Sequence, residues 1–311
     1  MKILNKLAIA ILISLLCACS KSESDTNNSS NNKSINLREN KYSAIFGGGP
    51  FYSGGMKVIN DLKQSGFTTV ILWTIHIGDD GSMNFNDKTV IDSQGNYIGD
   101  VEWKNRLSAL LQSPTSVNRI EIGVGAWGAK SWDIIKTLVA KEGTGEQTKL
   151  YKAFQLLMEI TGATAINFDD EVTYDVKSTV QFSLMLADMG YKISLCPFNE
   201  ADYWKAVYNQ VESAQAGTID RVYLQCYGGG YANKTYQWNA LFGDLKVSKG
   251  LWCRNGDNCN NGNSPSTIKS NLGKEVNNIS GGFIWLYDDI QKCAAFGNTA
   301  SYADAIAKGL Q

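Results

Sequence analysis

Histidine is almost missing from this chain: His76 is the only one in 311 residues. A Ser-His-Asp triad or a multi-histidine zinc site would have to run through that one side chain, so neither is expected. No Cys-x-x-Cys pair occurs, which removes the usual thiolate zinc sites. An excess of one charge is missing too. With 29 Lys and Arg against 30 Asp and Glu, the formal net charge is −1. No concentrated positive charge is available to hold phosphates, and nucleic acid is not an expected partner. The glycine cluster Gly47-Gly48-Gly49-Pro50 does not fit G-x-G-x-x-G, and Pro50 interrupts the turn that a dinucleotide site needs. The stretch Arg254 to Asn263 carries Asp257 and several asparagines but lacks the spacing and distal Glu of a calcium loop. It reads as a long surface loop that helps bound a cleft. No metal and no cofactor is expected.

Long apolar runs are also absent. The N-terminal stretch Leu7 to Leu16 is too short to span the ~30 Å of bilayer hydrocarbon. Lys2 and Lys6 precede it, and Leu16-Cys17-Ala18-Cys19 closes it with small residues before a cysteine. This pattern resembles a bacterial lipoprotein signal. It implies removal of residues 1–18, lipidation of Cys19, and membrane contact through that anchor only. Residues 19–40 are polar and form the expected disordered tether, since they bury too little to offset ordering entropy. Ser20 after the lipidated cysteine resembles the outer-membrane pattern of Gram-negative lipoproteins, which leaves the cell surface and the periplasmic face both open. Cys196, Cys226, Cys253, Cys259 and Cys293 then remain, an odd number. Cys253 and Cys259 flank the Gly/Asn-rich loop and are placed to close a local disulfide. Cys196 and Cys226 lie in apolar strand patterns and read as small buried hydrophobes.

From residue 43 onward, β-branched and apolar runs alternate with amphipathic helical stretches, the signature of a parallel sheet. Strands are predicted near 43–48, 68–77, 119–127, 164–171, 191–198, 221–228, 249–253 and 281–288. Helices are predicted at, among others, 55–65, 100–111, 149–161, 176–189, 201–214 and 264–277, with Gly66 and Gly190 as stops. Residues 41–311 therefore read as one α/β domain, a single (β/α)8 TIM barrel, close to the ~250 residues usual for that fold. An open doubly wound sheet is the alternative.

In such a barrel the chemistry gathers at the C-terminal strand ends. Those ends carry Trp127, Asp169 with Glu171, Tyr227, and Trp285 with Tyr287. Strand residues alternate faces, so Asn167, Asp169 and Glu171 share one face while Phe168 and Asp170 share the other. Unpartnered carboxylates are costly to bury, so the first three are expected to line a cavity. Two carboxyls side by side disfavour double ionisation, which suits acid catalysis near neutral pH; Glu171 is the expected acid. Protonating a leaving oxygen in this way is what glycosidic cleavage requires. The bland readings are a surface salt-bridge pair for the carboxylates, core packing for Trp73, Trp127 and Trp285, a flexible turn at Tyr227, and a buried hydrogen bond for Gln225.

Thr164-Ala165-Ile166-Asn167-Phe168-Asp169-Asp170-Glu171 resembles the fourth-strand D-G-x-D-x-D-x-E motif of family 18 glycoside hydrolases. Its Phe-Asp-Asp-Glu ending is similar to their endo-β-N-acetylglucosaminidase branch. Gln225-Cys226-Tyr227 resembles the family's sixth-strand Q-x-Y, Gly282-Phe283-Ile284-Trp285 its eighth-strand tryptophan segment, and residues 80–86 the loop after its second strand. The resemblance implies substrate-assisted retaining hydrolysis of N-acetylglucosamine-containing oligosaccharides or glycoprotein glycans. Glu171 would protonate the glycosidic oxygen, Asp169 would orient the substrate's acetamido group, Tyr227 would bond the acetamido carbonyl, and Trp285 would floor the sugar site. Asn167, Gln225, Trp127 and Tyr287 join them as expected substrate contacts. Thr164, Ala165 and Asn167 depart from the motif, and Asn167 removes a charge next to Asp169. The alternatives are a chitinase-like or peptidoglycan-directed hydrolase of the same mechanism and a surface lipoprotein that binds glycan without cutting it.

Overall fold

The structure is a computed structural model that describes residues 41–311; the signal, the tether and Cys19 lie outside the described residues. Eight parallel strands form its centre: β1 Tyr42–Gly47, β2 Thr69–Ile77, β3 Arg119–Val124, β4 Ala165–Phe168, β5 Lys192–Leu195, β6 Ile219–Gln225, β7 Ser248–Trp252 and β8 Gly281–Trp285. Each pairs with its successor, and β1 also pairs with β8 through Tyr42 and Gly281, which closes the barrel. Every run read as a strand is one. Several end sooner than the apolar pattern suggests: β4 stops at Phe168, and Asp169 to Glu171 belong to the loop that follows.

Local chemistry explains the helices that pack outside. Lys149–Thr161 turns Leu150, Phe154, Leu157 and Ile160 onto the sheet; the Thr148 side chain caps its start, and Gly162, at φ 65°, ends it. Ser264 caps Pro265–Gly273, where Pro265 opens the first turn, and this helix is shorter than its apolar pattern suggests. Ser131–Glu142 is a further helix between β3 and Lys149–Thr161. No described helix is long and apolar enough to cross a membrane.

Two hairpins decorate the strand ends. Met83–Phe85 and Lys88–Ile91 extend the edge of β2, with Ile75 opposite Phe85. Arg254–Asn255 and Asn258–Gly262 form the second, after β7. The expected disulfide is corrected here: Cys259 pairs with Cys293, not with Cys253. Cys253, just past the end of β7, is buried with its thiol directed at the Leu286 carbonyl. The hairpin carries Cys259 away from it and over the segment after β8.

The barrel interior is not the aliphatic filling usual for the fold. In its centre Tyr223 packs edge to face on Phe46 and on Phe283, which are tilted against each other. Phe283 has room because residue 250 is glycine; a Cβ there would sit 2.0 Å from the ring. Beside them lies Glu121, fully buried, which accepts from Arg119 at 2.8 Å, Tyr223 at 2.7 Å, Ser194 at 2.5 Å and Arg221 at 3.4 Å. Arg119 also grips Asp220 with two nitrogens. Four donors satisfy a carboxylate that would otherwise be very costly to bury.

The Cys259–Cys293 bridge closes a loop with a sequence separation of 34 residues. Replacing both cysteines with serine is expected to lower unfolding stability by about 2–4 kcal/mol. Urea titration with and without dithiothreitol checks this: reductant should shift the wild type to the variant's midpoint and leave the variant unmoved.

Candidate active site

The ends of β2, β4, β6 and β8 converge on one cleft. Immediately after β4, the Asp169 N–H still donates to the Val124 carbonyl at 3.0 Å, which holds the residue against β3. That approach requires glycine at position 125, where φ is 95° and a Cβ would lie 2.4 Å from the Asp169 carbonyl oxygen. Asp170 turns to the opposite face, as strand alternation predicts. Its buried carboxylate accepts from the backbone N–H groups of Val172, Thr173 and Tyr174 and from the Tyr203 hydroxyl. It thereby shapes the turn from which Glu171 projects into the cleft.

Asp169 is 3% exposed. Its Oδ2 accepts from the Trp73 indole at 3.1 Å and its Oδ1 from the Gln225 amide at 3.1 Å. The same Gln225 nitrogen lies 3.2 Å from Glu171 Oε1 and 3.1 Å from the Cys196 carbonyl. An amide nitrogen has two hydrogens, so three oxygens compete for them and the carboxyl pair is one donor short. A proton on the pair would make up the difference. Burial, followed by the neighbouring Glu171 charge, pushes the Asp169 carboxyl well above the usual carboxylate range against the opposing Trp73 hydrogen bond. Sequence reasoning assigned the held proton to Glu171. In the structure the raised carboxyl is Asp169, the buried member of the pair.

Aromatic rings wall the space in front of the pair. An inner chamber of about 260 Å³ is bounded by Trp73, Trp127, Asp169, Glu171, Tyr227 and Trp285. It opens into a recess of about 470 Å³ that Phe198, Gly229 and Trp252 join. Trp285 meets Trp73 edge to face at 4.7 Å and stacks on Tyr227 with 20° between the rings. The Tyr227 hydroxyl has no hydrogen-bond partner among the described residues. Burial pushes that phenol well above its ordinary range, so it stays a neutral donor. Trp127, at 83% exposed, stands at the rim.

Of the residues singled out in the sequence, Asp169, Glu171, Gln225, Tyr227, Trp285 and Trp127 therefore meet at one cleft. Two others do not. Asn167 is fully buried one layer below, donating to Ser194 Oγ at 2.9 Å, while its Oδ1 has no partner. Ser194 in turn donates to Glu121, which links the cleft floor to the interior ion cluster. Tyr287 was expected to continue the alternation from Trp285, but the chain becomes helical at Tyr287–Lys292, and its hydroxyl turns outward to Asp61 at 2.9 Å. Conversely, Trp73, weighed above as core packing, and Trp252, not singled out, also line the cleft. Trp252 ends its strand, whereas Trp73 lies in the middle of β2. The residues in place suit a neutral, ring-shaped ligand that carries an acceptor and a donor for the phenol and carboxyl groups.

No protein-family model matches the chain. No curated protein matches it either. Solved structures do. The GH18 chitinase ChiB from the chitin utilization locus of Flavobacterium johnsoniae is similar at 13% identity and TM-score 0.58, over 87% of this chain and 94% of that one. A putative chitinase A from Streptomyces coelicolor is similar at 15% identity and TM-score 0.59, over 88% and 99%. The spore cortex-lytic enzyme SleL of Bacillus cereus is similar at 11% identity and TM-score 0.59, over 87% and 74%. At these identities the likeness is one of fold: this chain has the (β/α)8 architecture that those enzymes share.

The raised Asp169 carboxyl gives a signed pH effect. The folded state holds a proton that the unfolded chain releases near pH ~4, so this group's contribution to stability falls as pH rises above that value. Asp169→Asn is expected to remove the loss. Thermal midpoints of both proteins between pH 4 and 8 should diverge with rising pH in favour of the variant; parallel curves would contradict a buried, protonated Asp169.

Proposed function

We propose that the chain is a retaining glycoside hydrolase of the family 18 type that cleaves β-linked N-acetylglucosamine glycans, in the manner of an endo-β-N-acetylglucosaminidase. The observation that carries this reading is the carboxyl pair of Asp169 and Glu171, which share the Gln225 amide in front of a stacked aromatic wall, with burial favouring a proton on Asp169. In the proposed reaction, substrate binding transfers that proton to Glu171, which is the more accessible carboxyl. Ionised Asp169 then accepts the N–H of the substrate's 2-acetamido group, and the Tyr227 hydroxyl donates to its carbonyl oxygen. The carbonyl oxygen bonds to the anomeric carbon as the glycosidic C–O bond breaks, and Glu171 delivers its proton to the departing oxygen. Water opens the resulting oxazolinium ion, with Glu171 taking the proton back, so the anomeric configuration is retained. Trp285 floors the reacting sugar, Gln225 aligns the two carboxyls, and Trp127 flanks the mouth. Asn167 acts from beneath through Ser194.

The Phe-Asp-Asp-Glu ending of the strand motif supports N-glycans as substrate. A chitinase-like action by the same chemistry is supported by the fold likeness to chitinases. We also propose export with lipid attached at Cys19, a reading that the disulfide supports, since such bridges persist in oxidising compartments.

Glu171→Gln is expected to lower kcat by about 10²–10⁴-fold. Product release from a high-mannose glycoprotein and from chitooligosaccharides, followed by mass spectrometry, measures this and separates the two substrate classes. Binding without product from the wild-type protein on either substrate would refute hydrolysis and leave a glycan-binding protein. For the anchor, Cys19→Ser should move the protein from the membrane fraction to the soluble one; an unchanged distribution would count against lipidation.

A further inference from the structure

A second recess adjoins the cleft and has no part in the chemistry described above. It measures about 470 Å³ and is lined by Tyr231, Trp252, Asn255, Asn261, Gly262 and Asn263. Trp252 lines the outer cleft as well, so one indole is the wall between the two spaces. That ring is fixed: its N–H donates to Asp289 Oδ2 at 2.7 Å. Opposite stands Tyr231, 72% exposed, at the end of the glycine turn that starts from Tyr227.

The chemistry of the lining is specific. It holds no charged side chain, two aromatic rings and three carboxamides. Asn263 spends one N–H on the Trp252 carbonyl, which leaves its Oδ1 without a partner among the described residues. Asn255 accepts from the Asp257 N–H, which leaves its amide hydrogens unpaired. The Asn261 side chain makes no hydrogen bond among the described residues. Carboxamides pair with vicinal hydroxyls as donor and acceptor together, and aromatic faces cover the C–H faces of a pyranose. The hairpin that presents them is braced before any ligand arrives. Arg254 ties its two strands through the carbonyls of Asn260 and Gly262, and the Cys259–Cys293 bridge fastens it to the segment after β8. A preformed site loses less ordering entropy on binding.

We infer that this recess is a second sugar subsite, continuous with the cleft across Trp252, which takes an uncharged pyranose of the same glycan. The inference rests on the proposed hydrolase reading and adds that glycan length or branching, not the reacting acetamido sugar alone, sets affinity. An extended chitin chain and the mannose arms of an N-glycan both present this chemistry.

Isothermal titration of the Glu171→Gln protein with chitobiose, chitohexaose and a high-mannose N-glycan tests it. At least one long ligand should bind about tenfold more tightly than chitobiose, a difference worth ~1.4 kcal/mol. Tyr231→Ala and Asn261→Ala should each abolish most of that gain and change chitobiose affinity by less than about twofold. The ligand whose gain depends on Tyr231 identifies the natural arm. Equal weakening for short and long ligands, or no gain with length, overturns the subsite and leaves the hydrolase reading standing. Failure of all three sugars to bind, together with absence of cleavage by the wild type, overturns both.

Discussion

Two carboxyl groups set side by side, one of them buried, govern how this molecule is built around its cleft. Burial, and after it the Glu171 charge next door, push the Asp169 carboxyl up, while Trp73 and Gln225 donate to its two oxygens. The demands of that arrangement reach outward. Glycine is needed at 125 so that β3 can approach, and Asp170 must face away and gather three backbone N–H groups so that Glu171 is presented correctly. Trp73, Tyr227 and Trp285 wall the space in front of the pair.

Beneath this pair the barrel is filled by an ion cluster and rings instead of branched aliphatics. Glu121 is held by four donors, and the contact from Ser194 continues to Asn167 directly under the cleft. The asparagine replaces an acid in the motif that the strand resembles. Close by on the neighbouring strand lies the buried Glu121, joined to Asn167 through the Ser194 hydroxyl and itself paired with Arg119 and Arg221.

The barrel was legible because parallel strands buried on both faces write themselves as apolar runs, and the carboxyl pair because its two acids sit at the C-terminal end of one such run, although the strand itself stops at Phe168. The failures cluster where strand alternation stops applying. Tyr287 was read by extending the alternation of Trp285, but the backbone turns helical at that point and the ring points to Asp61. Asn167 does face inward, yet it lies one layer too deep to touch a ligand. Cys253 and Cys259 are neighbours in sequence, and a hairpin whose course nothing in the sequence specifies carries them apart. Which of the eight tryptophans of the chain reach the cleft depends on strand register, and neither Trp73 nor Trp252 announces it.

The bridge between Cys259 and Cys293 joins the loop of the seventh strand to that of the eighth. It ties each loop to its neighbour across the barrel mouth, not back to its own strand. Neither loop can then drift independently, and an insertion or deletion in one would be transmitted as a displacement of the other. Diversification of this rim is therefore constrained to proceed in pairs, whereas the unbridged loops on the far side, around Trp127, can change shape alone.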